Sequence, residues 1–417
     1  MSACGLAGAR RRRPITLHAW SGVLLFCALA GACGAEGTPA ASGVDAAATS
    51  PDANPPFEPA DAFASGLSYD TPAAEAGDTG PEQTPDAAPE AVDAAVDAAV
   101  DAAPEAPAPY PIPSYRLLSE TGLWADSASK TLASTLVPFA PTHVLWSDGA
   151  RKRRWIQLPP GTRVDTSDMD HWQFPVGTKF FKEFSSPDGV LLETRLIERH
   201  GPGPEDYWMG SFVWNAEQTE AVFAVDGKND INGTAHDAPA QRLCGACHRG
   251  DKGRVLGFSA IQLSRPPRDE ADVTLQGLAA RGWLSAPPAP GVDFPVPGDP
   301  DTAVALGYLH ANCGHCHNLG GTSWPDTQMV LRLRVGERDP LQSELVKSVV
   351  GGKLQAWRNP AFTLRVVPGH PEASGLVARM STRGSRDQMP PLATEVVDPT
   401  GVQLVTRWVA SLPPAAE

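Results

Sequence analysis

The chain has 417 residues, 34 Lys plus Arg against 48 Asp plus Glu, and a formal net charge of −14. Residues 1–33 carry four arginines and no acid, residues 34–109 carry fifteen acids and no Lys or Arg, and residues 110–417 are left at −3. These figures exclude both a uniformly acidic globule and a basic nucleic-acid-binding domain.

Residues 1–33 read as an export signal. Arg10 to Arg13 precede the apolar run Ile15 to Leu29, which ends in Ala30, Gly31, Ala32 and Cys33. A basic start, a short apolar run and small residues before a cut site describe a cleaved signal. The run is shorter than the roughly 20 residues that span a bilayer. A cysteine after small residues resembles a bacterial lipobox, with Leu29 one place further upstream than usual. The resemblance implies lipidation of Cys33, a membrane anchor, and a periplasmic or outer-membrane lipoprotein; plain cleavage stays open.

Residues 34–110 read as a disordered acidic tether rich in Ala, Pro and Asp. Alanine favours helix, but Asp93, Asp97 and Asp101 repeat at i, i+4, and prolines at 85, 89, 104, 107, 109, 111 and 113 bracket the run. Like charges on one face and frequent prolines both oppose helix, so the segment repels itself and stays extended.

Residues 111–264 read as a β-rich domain. Arg151, Lys152, Arg153 and Arg154 form a dense basic run, expected at alternating strand positions facing solvent, with a docking patch for an acidic electron-transfer partner as the alternative. Trp172 to Phe184 reads as a turn followed by a strand. Val190 to Ile197, Tyr207 to Trp214 and Ala221 to Val225 read as short strands separated by Asp-Gly, Gly-Pro and Asn-Asp turn signals.

All four cysteines beyond residue 109 lie in two pentapeptides, Cys244-Gly-Ala-Cys247-His248 and Cys313-Gly-His-Cys316-His317. C-x-x-C-H is the covalent c-type haem attachment pattern. Two thiols at that spacing form thioethers to the haem vinyls, and the next residue places an imidazole under the iron. Disulfides, thioredoxin-like redox pairs and a zinc site are the alternatives. Sixty-five residues separate Cys247 from Cys313, zinc ribbons space their pairs by about 15 to 20, and none of the three explains a histidine after both pairs. The expected cofactors are therefore two haem c groups, with His248 and His317 as iron ligands. For the sixth position of the first haem, His171, His200, His236, Met169 and Met209 are candidates, and His236 is nearest in sequence. An open position there would permit ligand binding or peroxide chemistry.

Residues 265–298 read as a proline-rich connector around a short helix, Val273 to Trp283. Residues 299–417 read as helical. Asp299-Pro300 and Asp398-Pro399 are N-cap signals, and Val402, Val405, Val409 and Leu412 share a face with Trp408 beside it. Met389, ahead of Pro390 and Pro391, is the expected thioether ligand of the second haem. Met380 competes, but lies in the helical-looking stretch Ala373 to Met380.

N-terminal helix, CxxCH, late methionine and closing helix together resemble a class I cytochrome c domain. The resemblance implies an all-α C-terminal domain whose first and last helices cross, with Gly307, Tyr308 and Trp408 in the contact. Tyr308 to Asn318, Val367-Pro-Gly-His370-Pro-Glu-Ala-Ser374 and Met389-Pro-Pro-Leu-Ala393-Thr394 resemble a family of exported bacterial dihaem proteins, whose usual forms VPGDPEAS and MPPLGT are altered at His370 and Ala393. Trp172 to Phe184 is similar to the corresponding stretch of the same family and, more loosely, together with the order of elements, to P460-type cytochromes. The expected fold class is thus α+β: a β-rich domain ending in the first CxxCH, then an all-α cytochrome-like domain. The expected function is electron transfer between redox protein partners, with a haem enzyme or a zinc- or disulfide-stabilised binding module as alternatives.

Overall fold

The structure, a computed structural model, describes residues 110–268, 272–357 and 359–414. The expected signal, Cys33 and the acidic tether up to residue 109 lie outside the described residues. No described helix is long and apolar enough to cross a membrane.

The fold is α+β. A small hairpin, β1 (Trp124–Asp126) with β2 (Thr131–Leu132), precedes a six-stranded antiparallel sheet. The sheet consists of β3 (Val137–Pro138), β4 (Arg151–Gln157), β5 (Lys179–Ser185), β6 (Leu191–Arg199), β7 (Tyr207–Trp214) and β8 (Ala221–Phe223). Spatial order equals chain order, because each strand pairs with the next one along the chain. The expected strands occur within a few residues of their predicted ends.

Side chains alternate between the two faces of a strand. The register aligns Trp155, Phe181 and Leu196 across β4, β5 and β6, and they form one core with Trp208, Phe212 and Trp214. On the opposite face, Ile156, Phe180 and Ile197 align one row along. There Phe139, Phe174 and Phe258 join Phe180, with the Phe139 and Phe258 rings 4.8 Å apart edge to face. Each such buried side chain contributes about 1.5–3 kcal/mol.

The basic run of β4 alternates between solvent and interior, as a strand pattern predicts. Arg151 and Arg153 are exposed, but Lys152 is half-buried and Arg154 is 7% exposed. Tertiary packing covers one face of β4 at this point, so alternate cations turn inward. Arg153 is further neutralised by Glu183, 2.5 Å away.

Glu193 is fully buried on the inward face, bonded to Arg195 at 2.7 Å and to His236 Nε2 at 2.8 Å. Burial pushes its pKa up, but Arg195 and His236 outweigh that and hold it at about 2. A carboxylate depressed in the folded state contributes stability above its unfolded pKa and loses it as pH falls through the folded value. From pH 4.5 to 2 the protein is expected to lose about 3 kcal/mol through this group. Acid-unfolding curves check this: Glu193→Gln, less stable at neutral pH, should show a correspondingly smaller loss over that window.

After β8 the chain passes through α1 (Cys244–His248), α2 (Ala260–Leu263) and α3 (Leu275–Ala280). The proline-rich segment 265–298 is packed rather than free. Val273, Leu275, Leu278 and Leu284 are buried with Ile156 and Phe180, and Val164 N–H donates to Trp283 C=O at 2.7 Å.

The C-terminal region is mostly helical: α4 (Pro300–Asn312), α5 (Trp324–Thr327), α6 (Glu344–Val349), α7 (Gly375–Met380) and α8 (Pro399–Ser411). The Asp299 carboxylate accepts from Asp301 and Thr302 N–H, and that of Asp398 from Gly401 N–H, as the cap signals predict. Leu306 and Leu309 of α4 meet Val405, Trp408 and Val409 of α8 in one core, which includes Met380 at 5% exposed.

The close approach between α4 and α8 is made by Gly401, not Gly307. A Cβ on Gly401 would collide with the Tyr308 ring, whereas one on Gly307 would collide with the His143 imidazole. Gly307 is thus the seat of a side chain from the β-rich half. Ala393 adopts φ 54°, in the left-handed region that favours glycine.

Candidate functional site

α1 consists of the first motif alone. Its helical turn places Cys244 and Cys247 at i, i+3 on one face, with His248 next along it. In the second motif α4 stops at Asn312 instead of running through. Cys313 caps it, and His317 N–H donates to Cys313 C=O at 2.9 Å, which closes one further turn with the same cysteine spacing.

The two motifs meet. Cys316 Sγ lies 3.5 Å from Ala246 C=O, and Thr322 Oγ1 donates to the same carbonyl at 3.0 Å. Gly250, two residues beyond His248, packs on the second motif's backbone. A Cβ there would collide with His315 C=O and lie 2.7 Å from Asn318 Nδ2. Arg332 closes the junction through an ion pair to Asp251 at 2.9 Å.

All four cysteines are free of disulfides. Burial pushes the Cys244 thiol up to about 11 and the Cys313 thiol up to about 12, so both are protonated at neutral pH. Cys247 is held low by hydrogen bonding from the Cys316 thiol and from His315. The Cys247, Cys316 and His315 donor atoms lie within 4.8 Å of one another.

Both motif histidines have one ring nitrogen, Nδ1, facing an oxygen. His248 Nδ1 lies 2.6 Å from Arg254 C=O. A carbonyl only accepts, so Nδ1 carries the proton and Nε2 keeps its lone pair. Burial lowers the His248 pKa to about 4, so the ring is neutral at pH 7. His317 repeats the arrangement with a longer contact. Thr327 Oγ1 gives its proton to Ser323 C=O at 2.7 Å and faces His317 Nδ1 at 3.4 Å as acceptor. Burial brings His317 to about 4 as well. Free thiols at i, i+3 followed by neutral imidazoles with available Nε2 fit covalent haem in donor type and tautomer.

The candidate sixth ligands separate. His236 is 3% exposed and committed elsewhere, to Glu193 and to the face of the Phe184 ring 4.7 Å away. Met169 packs against the sheet's aromatic core, and Met209 lies half-buried on β7. His171 and His200 each keep a buried Nδ1 without a hydrogen-bond partner. Met389 belongs to no hydrophobic core cluster. Its N–H donates to Arg379 C=O at 3.0 Å, and the Arg379 charge also reaches His317. Met380 is core, as its helical surroundings suggest.

The residues that bring the motifs together, Gly250, Thr322 and Arg332, carry no motif of their own. Only the placement of Gly250 two residues after His248 is a sequence signal, and a weak one. Searches of protein-family models, of curated proteins and of solved structures found no match to this chain.

Proposed function

We propose that this chain is an exported dihaem c-type cytochrome that carries electrons between redox proteins, anchored to the outer membrane through Cys33. The observation that carries the reading is the pair of adjoining CxxCH segments, each with free thiols and with a neutral histidine whose Nδ1 is tied to an acceptor. Each bound haem would supply reversible one-electron chemistry at iron. The chain's own residues do the rest. Cys244 and Cys247, and Cys313 and Cys316, supply the thiols. Arg254 C=O and Thr327 Oγ1 orient the two imidazoles, while the core around Leu309, Leu331 and Trp408 keeps water from the second site. Met389 would complete the second iron's ligation.

Two observations support other readings. The engagement of His236 by Glu193 favours a first haem with an open sixth position, hence a haem oxidoreductase. A ferric first-site spectrum that shifts from high spin on adding cyanide would select that reading over pure electron transfer. The Cys247, Cys316 and His315 trio favours a metal-stabilised module, although structural zinc ordinarily takes four protein ligands.

Intact mass with haem staining, on protein exported to the periplasm of a host that matures c-type cytochromes, tests the proposal. The expected result is two covalent haems, with loss of one in the Cys244→Ser/Cys247→Ser variant and of the other in Cys313→Ser/Cys316→Ser. A haem-free mass with stoichiometric zinc would replace the cytochrome reading with the metal module.

A further inference from the structure

The inward face of the sheet carries a row of cations without enough anions. Strand register places Arg154 opposite Lys182 and Lys182 opposite Arg195. Directly opposed side chains have Cβ atoms about 4.5–5.5 Å apart, and like charges in such pairs destabilise a sheet. Arg195 is balanced by Glu193. Arg154, at 7% exposed, has no carboxylate within ion-pair distance among the described residues, and half-buried Lys182 has none either, only the face of the Phe184 ring, 4.7 Å from its Nζ, and the charge of Glu193 beyond that distance. Burial pushes Arg154 down to about 10 and Lys182 well below the usual lysine range. An uncompensated buried charge costs several kcal/mol, and an anion between Arg154 and Lys182 would offset that cost.

Arg154 and Lys182 face a small cavity of about 60 Å³. The cavity is also lined by His310, Gly314 and His315, so it adjoins the second CxxCH motif, and by Asp251, whose carboxylate is already paired with Arg332 at 2.9 Å. His310 Nδ1 accepts from Leu333 N–H at 3.0 Å. Its neutral ring therefore carries the proton on Nε2 and is a donor.

We infer that Arg154 and Lys182 form a buried anion seat that takes a carboxylate, with His310 as an auxiliary donor. A guanidinium suits this because its fork binds carboxylate with two parallel bonds. The carboxylate comes either from a haem attached at the adjoining motif, which rests on the proposed function, or from a free small carboxylate that enters the cavity.

The test compares the full exported protein with Arg154→Gln, Lys182→Gln and the charge-retaining Arg154→Lys. If a haem carboxylate occupies the seat, removing a cation favours the oxidised haem. Each Gln variant should then lower the midpoint potential of one haem by about 59 mV, a tenfold shift for one electron, in buffer free of added carboxylates. Arg154→Lys should restore most of it. If a free carboxylate occupies it, potentials in that buffer are equal, and added acetate raises the melting temperature of the wild type saturably but not of the Gln variants. Equal potentials together with equal acetate responses in all four proteins would overturn the seat. Intact mass on the same samples separates the two proposals: a wild type without covalent haem defeats the cytochrome reading and leaves the seat to stand or fall on the acetate titration.

Discussion

Gly250→Ala is expected to destabilise the protein by about 3 kcal/mol, the upper end of the usual overpacking range, whereas Gly245→Ala, five residues away, should be neutral or slightly stabilising. A Cβ on Gly250 meets the second motif's backbone at His315 C=O and the Asn318 amide, whose nitrogen also bonds to Gly314 C=O at 2.8 Å. Neither group can move without loosening the Cys313 to His317 turn. A Cβ on Gly245 meets nothing nearer than an Arg249 Nη2 at 3.7 Å. Its helical position also favours alanine over glycine by up to about 1 kcal/mol. The difference should appear as a melting temperature lower by about 6–12 °C for Gly250→Ala, with Gly245→Ala at or above the wild type. Equal melting temperatures would mean that the two motifs are not in backbone contact.

The second large effect separates the two late methionines. Met380 is 5% exposed within the core of Leu345, Val349 and Trp408, so Met380→Ala should cost about 2–5 kcal/mol. It should leave in place the methionine signature expected of the proposed second haem. Met389 contributes to no hydrophobic core, so Met389→Ala should change stability by less than about 1 kcal/mol while abolishing that signature. Paired urea unfolding and ferric spectra on each variant read both effects. Loss of the methionine band in Met380→Ala and its retention in Met389→Ala would reverse the assignment.

The contrast between these methionines is legible in the amino-acid sequence. Met380 falls in a helical stretch with apolar neighbours at core spacing, and Met389 precedes two prolines that forbid helix. The starts of the long helices are equally legible, because Asp299-Pro300 and Asp398-Pro399 satisfy the first free N–H groups through their own side chains, a purely local interaction. The same holds for the cysteine spacing, since one helical turn sets where two thiols and an imidazole point.

Arg154, His236 and Gly307 are not legible in this way. A strand pattern states which residues share a face, but not which face another layer will cover. The alternation of the basic run therefore puts Arg151 and Arg153 on one face and Lys152 and Arg154 on the other, and only tertiary packing decides that Arg154 is the buried one. His236 stands nearest to Cys244 along the chain, yet its partner is Glu193 on β6, 43 positions away. Gly307 suits a helix crossing, but His143 from the other half of the molecule takes its place against α4.

By itself, then, the sequence determined the charge partition, the two CxxCH motifs, the helix starts and most of the strands, all of which rest on interactions within a few residues. Tertiary structure alone decided that the motifs adjoin, that Arg154 and Lys182 face a shared cavity, and that Gly250 is the contact between two segments otherwise 65 residues apart. Those features depend on which surfaces exclude water against each other, and burial of that kind depends on the whole fold rather than on local spacing.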